Sequence, residues 1–332
     1  MIRGFYSAAA GLASRQAQLN VIANNMANVN TTGFKASSVY YADSFSNMLS
    51  TAASSSASLG SPASSMQIGT GTQVAQVSAN NTQGSISATG VATNLAINGE
   101  GYFVLRDSLD SSTYVTRAGN FTLDDSGNLL SASGHRVQGL TGGNITYAVS
   151  QDASGNLTYA PTITDVSDVT PEVAGDINLD FSLSVGNGLT PDSSVTATDA
   201  EVNAGAPQLS SIGFDSNGNA VFYMNDGNSY ASAQVLLMNF QNPNALTKQG
   251  DNLYSNLSAA GPNGGTLSLS STNNKPGTNN LGTFKTESLE LSNVDLTQEF
   301  ANLITTQRSF QAGSRIITVS DDILQEVVNL KR

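Results

Sequence analysis

Apolar residues recur at alternating steps of three and four in two stretches of this chain, one at each end. The first runs Ile2, Phe5, Ala9, Leu12, Gln16, Leu19, Ala23 and Met26. The second runs Leu296, Phe300, Leu303, Gln307, Phe310, Ser314, Ile317, Asp321, Leu324 and Val328. This is the spacing of a heptad seam, which lines one side of a helix with side chains that need a partner. It predicts a helix ending near Asn28 and another from Asp295 to the last residues. Asp295 is placed to cap the second helix, with Gln298 completing a capping box. At about 1.5 Å per residue that helix is roughly 50 Å long, more than one small domain needs. Two arrangements satisfy such seams. The helices can pair with each other and close the chain on itself, or they can pack against copies in other subunits.

Between the ends the period changes to two. Gln73–Val77, Gly84–Gly90, Asn94–Gly99 and Gly101–Leu105 read as short strands with glycine punctuation, and Tyr114–Gly139 continues as hairpins. The strand pattern resumes at Ile212–Phe214, Val221–Met224 and Val235–Phe240. Residues 46–66 are a low-complexity Ala/Ser stretch, which lacks the apolar surface to fold alone and reads as a linker. Residues 143–208 are more acidic and carry Pro161, Pro171, Pro191 and Pro207, the composition of a separate inserted domain. The expectation is an α+β fold in which terminal coiled-coil helices (1–45 and 285–332) bracket a mainly-β domain (67–142 and 209–284) with a smaller β domain inserted at 143–208.

Composition narrows the function. Charged residues make up 11% of 332, against about 25% in ordinary soluble proteins. The net charge of −12 argues against nucleic acid or an anionic membrane surface as partner. No cysteine is present, so disulfides and thiolate metal sites are impossible. A single histidine, His135, removes histidine-cluster metal sites. No apolar run is long enough to insert into a membrane.

Candidate chemistry is sparse. Asp125–Leu129 preceded by Asp124, Asp152–Asn156 and Asp215–Asn219 each set Asp and Asn oxygens around a glycine. None has the twelve-residue calcium loop with its closing Glu, and apolar residues flank each, as in a β-hairpin with glycine at positive φ. Gly69-Thr-Gly71 and Gly99-Glu-Gly101 do not open a helix after a strand, so they are not phosphate loops. His135 falls in a turn with no nucleophile nominated beside it. The Asn120-Phe-Thr122 triplet is expected by chance in so Asn- and Thr-rich a chain. Ala23–Lys35, ANNMANVNTTGFK, is dense in side-chain amides. It reads either as a helix cap and turn or as a connector that hydrogen-bonds to neighbouring chains. No catalytic, cofactor or metal site is expected.

Four segments together resemble the bacterial flagellar rod and hook proteins: the opening helix with Ala23–Lys35; Gln67–Val74 followed by TQGSISATG and LAINGEGYFVL to Leu105; Tyr114–Gly139; and Ser292–Arg332. Asn239–Asn256 matches more weakly, and residues 46–65 and 143–208 carry no match. Ala312-Gly313-Ser314 departs from the family's usual Ala-Asn-Ser, which points to a local weak point or a close helix contact. The resemblance implies a subunit exported unfolded through the flagellar type III channel without a cleaved signal. It then polymerises into a helical tube at the flagellar hook or basal body. The terminal helices pair as its inner layer, and neighbouring rod, hook and junction proteins, the export apparatus and a cap chaperone are its partners. The self-assembly interface is then expected at Ile2, Phe5, Leu12, Leu19, Met26, Leu296, Phe300, Leu303, Phe310, Ile317, Leu324 and Val328. Against this structural reading stands a β-rich secreted enzyme or binding module with helical termini, which a polymerisation assay would separate. Within the family, the insert and the length favour a hook subunit over a distal rod subunit.

Overall fold

In a computed structural model, the two heptad stretches are single helices, Ile2–Ala27 and Leu296–Asn329. The structure describes residues 2–50, 65–168, 173–179, 184–185, 188–193, 195–265 and 267–330. Asp295 caps the closing helix, its carboxylate accepting from the backbone N–H groups of Thr297 and Gln298. The expected capping box is only half made. Gln298 turns its amide up the helix to Asn302 Oδ1 at 3.2 Å, one turn on, where it gains an i,i+4 side-chain bond.

The chain divides into two compact units, one of residues 1–30, 35–82 and 293–332, the other of 31–34 and 83–292. The first holds both long helices and a ribbon in which Ser37–Asp43 pairs antiparallel with Thr72–Ala79. Ser46–Ser50 then pairs with Met66–Gly69. The stretch expected as a linker is therefore strand at both margins, because Met48, Met66 and Ile68 supply a local alternation that the Ala/Ser count conceals. Residues 51–64 lie outside those described.

The second unit is β-rich. Its main sheet runs in the order Leu209–Phe214, Asn219–Met224, Ser229–Val235, Arg136–Thr141, Tyr102–Arg106, Thr113–Thr116, Leu253–Ser255 and Thr247–Gly250. The strand Tyr102–Arg106 is buried on both faces. Phe103 and Leu105 join a cluster with Leu95, Ile97, Phe121, Val235 and Phe284, while Tyr102 and Val104 join Val115, Met238, Phe240 and Tyr254 on the other side. Such two-sided burial needs an unbroken apolar run, which GYFVL provides. The returning chain closes the unit, Thr283–Thr286 pairing with Leu95–Asn98 and Ser288–Glu290 with Ile86–Ala88.

The stretch 143–208 forms a four-stranded sheet around Asn144–Gln151. Its Ile145, Tyr147, Val149, Leu189 and Val202 pack into the same cluster as Leu95 and Phe103, and Val173–Asp176 pairs with the main-sheet strand Arg136–Thr141. Exposed residues such as Asp152, Asp192, Pro161 and Pro191 show where the segment meets water, while Pro207 is buried. They do not report the inward-facing alternate residues that tie it to a common core.

Candidate self-assembly surface

The opening helix meets the ribbon along residues four apart. Ser14 Oγ donates to the Thr72 carbonyl at 3.2 Å, the Tyr41 hydroxyl donates to Gln18 Oε1 at 2.9 Å, and Arg15 lies 5.3 Å from the Tyr41 ring centre. Ile22 and Asn25, further along the helix, are buried. Asn25 is a junction. Its Nδ2 donates to the Ser37 carbonyl at 2.8 Å and to Glu299 Oε1 at 3.1 Å, and its Oδ1 accepts from the Ser37 N–H at 2.9 Å. Asn293 does the same for the chain crossings nearby, accepting from Ala36 N–H and donating to the Asn80 and Thr82 carbonyls. These amides are therefore occupied within the chain, and the reading of Ala23–Lys35 as a connector to neighbouring chains loses Asn25. In the other unit, Gly33 from the same motif takes φ +69°, and a Cβ there would lie 2.7 Å from Ala118 N. Only glycine fits that approach.

The two helices lie side by side and antiparallel. Asn25 meets Glu299, and Leu12, about two heptads earlier, meets Gly313, about two heptads later. A Cβ on Gly313 would sit 3.0 Å from Leu12 Cδ2. The Gly313 departure noted in the sequence is thus a close helix contact, with the missing side chain making room for Leu12.

The expected interface residues divide by exposure. Leu12, Leu19, Met26, Leu303, Phe310, Ile317 and Leu324 are half-buried. Phe5, Leu296, Phe300 and Val328 are exposed, from 40% for Phe5 and Leu296 to 67% for Val328. The side chain of Ile2 lies outside those described. The centre of the helix contact is smaller and more polar than the seam suggests, since Thr306 is buried there at 3% exposure. Its hydroxyl donates to the Asn302 carbonyl, which is how a polar residue is accommodated against a helix. Heptad counting missed a second apolar row on the closing helix, Ile316, Val319, Ile323, Val327 and Leu330, which are 54%, 55%, 41%, 46% and 86% exposed. The signal was in the sequence as a second three/four spacing offset from the first. The ribbon adds Tyr40, Phe45, Met48, Met66 and Ile68, all exposed.

The candidate chemistry of the β unit resolves into structure. In all three acidic loops the aspartate carboxylate closes the turn. Asp124 accepts from the N–H groups of Ser126 and Asn128 and from Asn128 Nδ2. Asp152 and Asp215 do the same with Ser154 and Asn156, and with Asn217 and Asn219. Gly127, Gly155 and Gly218 take positive φ as hairpins require. The Asn128 side chain holds the Asp124 carboxyl below its ordinary range, and the Asn156 N–H does so for Asp152. His135 Nδ1 is 3.0 Å from Ser133 Oγ, and Nε2 is 3.7 Å from Asp107 Oδ2. The second distance is too long for a hydrogen bond, and Ser133 Oγ is shared with Ser131, so the trio does not make an activated nucleophile. Among the described residues no group of three acidic or histidine side chains is placed to hold a metal ion.

Comparison with known proteins agrees with this picture. Residues 5–35 match the profile of flagella basal body rod proteins, residues 96–178 that of the flagellar hook protein FlgE/F/G D1 domain, and residues 285–330 that of the flagellar basal body rod FlgEFG protein C-terminal. The chain is 35% identical over 332 residues to the flagellar basal-body rod protein FlgG of Bacillus subtilis, covering all of both chains. It is 26% identical to the flagellar hook protein FlgE of Borreliella burgdorferi over 452 aligned positions, again covering all of both. It is 29% identical to the FlgG of Caulobacter vibrioides, covering 98% of each. The open apolar helices, the hydrogen-bonded loops and these likenesses lead to one conclusion: the chain belongs to the flagellar basal-body rod and hook protein family and is a structural subunit of the bacterial flagellum.

Proposed function

We propose that the chain is the subunit of the flagellar hook, polymerising into a helical tube that couples the motor to the filament. The observation that carries self-assembly is the apolar surface the long helices leave open, Phe300, Val319, Ile323 and Val327 among it. An open helical tube needs heterologous contacts, in which different patches of each copy meet. In this reading the paired terminal helices form an inner coiled-coil layer. The insert favours a hook over a stiff rod, because it adds exposed acidic surface whose contacts can slide as a tube bends. The export apparatus, a cap chaperone and neighbouring axial proteins are its partners. A second reading, a distal rod subunit, is favoured by the 35% identity to a protein named as a rod protein. Electron microscopy of a deletion strain separates the two. Complete rods without a hook support the hook, and rods truncated inside the outer rings make this the distal rod subunit.

A further inference from the structure

Asparagine is a chemically labile residue, and a glycine after it leaves the backbone nitrogen between them unshielded by a Cβ. This chain carries four such pairs, beginning at Asn98, Asn187, Asn217 and Asn263. Asn187 lies outside the described residues. The other three all belong to the β unit, and the fold holds them differently.

At two of them the nitrogen that would react is engaged. Gly99 donates its N–H to Gln83 Oε1 at 3.0 Å, and Asn98 is fixed in a strand by its pairing with Thr283. Gly218 donates to the Asp215 carbonyl at 3.0 Å. Asn217 is gripped along its own backbone as well, its N–H on Asp215 Oδ1 at 2.7 Å and its carbonyl accepting from Gln234 Nε2 at 3.0 Å. Asn263 and Gly264 are instead the two central residues of a turn, closed by the Gly265 N–H on the Pro262 carbonyl at 3.0 Å. Gly264 takes φ +98°, as the third position of a type II turn requires. The closing bond spans the peptide between the central residues and leaves that peptide unused. Among the described residues neither the Gly264 N–H nor the Asn263 side-chain amide has a hydrogen-bond partner. Gly264 is exposed and Asn263 half-buried, so water reaches both.

We propose that Asn263–Gly264 is a site of spontaneous deamidation, and that the fold directs this chemistry there and away from Asn98 and Asn217. The Gly264 nitrogen gives up its proton to water and bonds to Asn263 Cγ. The Cγ–Nδ2 bond breaks, and ammonia leaves after taking a proton from water. Water then opens the five-membered imide. Opening at Cγ gives aspartate, and opening at the Asn263 backbone carbonyl gives isoaspartate, whose main chain runs through Cγ. The net reaction turns one amide and one water into one carboxylic acid and one ammonia, with no oxidant or reductant. Either product adds a negative charge to a chain already at −12. Isoaspartate also lengthens the main chain inside the turn, directly after the bond from the Asn263 N–H to the Asn239 carbonyl. The proposal is independent of the self-assembly reading.

The test is peptide mapping by mass spectrometry of the full-length chain held in mildly alkaline, ammonia-free buffer, with isoaspartate counted by methyltransferase labelling. In the folded chain Asn263 should convert roughly fivefold or more faster than Asn98 or Asn217, the rate equivalent of one hydrogen bond that must first break. In urea, with the chain unfolded, the three rates should come together. Asn263→Gln, which can close only a six-membered ring, should lose the conversion at that position with unchanged circular dichroism. Equal rates at the three sites in the folded chain overturn the proposal, because the bonds on Gly99 and Gly218 then give no protection. A rate ratio that survives in urea also overturns it, since neighbouring residues and not the fold would be selecting the site. No conversion at Asn263 in the folded chain, or an unchanged signal from Asn263→Gln, overturns the assignment itself.

Discussion

The two units of this chain treat the same kind of residue in opposite ways. In the β unit, Phe103 is fully buried, edge-on to Phe121 at 4.9 Å and stacked on Phe284 at 5.6 Å. In the helical unit, Phe300 is 49% exposed on a helix of 34 residues. Polar groups differ as well. The β unit encloses an ion pair, Arg117 to Glu290 at 3.3 Å, with the side chains 5% and 0% exposed. The closing helix keeps Arg308, Arg315, Asp322 and Glu326 in water. One unit completes its apolar contacts within a single chain. The other pairs two helices and still presents enough apolar surface for a further partner. A subunit that must be monomeric before assembly and firmly held after it needs both kinds of region.

The most severe way to break this division is to damage the helix pair. Leu303→Asp puts a carboxylate on the half-buried side of the closing helix, where an unpaired charge is strongly disfavoured. Polymer formation should be lost, while the β unit keeps its unfolding transition. Sedimentation and thermal denaturation of one preparation check both, and normal polymer yield from this variant would refute the division.

Next in size come changes that damage only the β unit. Phe103→Ala should cost ~3–5 kcal/mol of stability, the usual loss for a buried aromatic. Phe300→Ala should leave the monomer's unfolding free energy within about 0.5 kcal/mol, as exposed positions do. Denaturant titration of the two variants reads the contrast directly. Arg117→Met tests the buried pair. The guanidinium also donates to the Gly99 carbonyl at 2.9 Å and lies 5.3 Å from the Tyr102 ring centre. Removing it breaks a buried ion pair from one side, which typically costs ~3–5 kcal/mol. Arg117→Met with Glu290→Met should recover a large part of the loss, since the pair's desolvation is then avoided. A double variant no better than the single one would show that Arg117 acts through packing alone.

How much of this was legible beforehand follows the same division. The helices, their seams, the Asp295 cap and the hairpin glycines all rest on local spacing, and local spacing is written in the chain. What escaped was set by distant contacts. The second apolar row hid because the first heptad frame already accounted for the helix. The attachment of residues 143–208 to the common core depends on Ile145, Tyr147 and Val149 facing inward on alternate positions, a short signal beside four prolines. Asn25 looked like a helix-end residue, and its bonds to Ser37 and Glu299 reach partners 12 and 274 positions away. No local rule could have found the second of these.

The smallest expected effect concerns Asp176, whose carboxylate holds the insert to the main sheet. Arg106 reaches its Oδ2 at 2.7 Å and Arg136 at 3.0 Å, while Gln138 donates to Oδ1. Burial alone would raise its pKa. The bonds from Gln138, Arg136 and Arg106 outweigh it, and the carboxyl is held below its ordinary range. A carboxylate with a depressed folded-state pKa contributes stability that is fully present above its unfolded pKa, near 4. That stability is lost as pH falls through the lower folded value. The wild-type chain should therefore lose unfolding free energy more steeply than Asp176→Asn between about pH 5 and pH 2. The two curves should converge at the acid end, where the carboxyl is protonated in both states and resembles the amide. Urea titrations across that window measure both slopes. Parallel curves would mean that Arg106 and Arg136 hold the amide as firmly as the carboxylate, and that the junction depends on the strand pairing of Val173–Asp176 and not on charge.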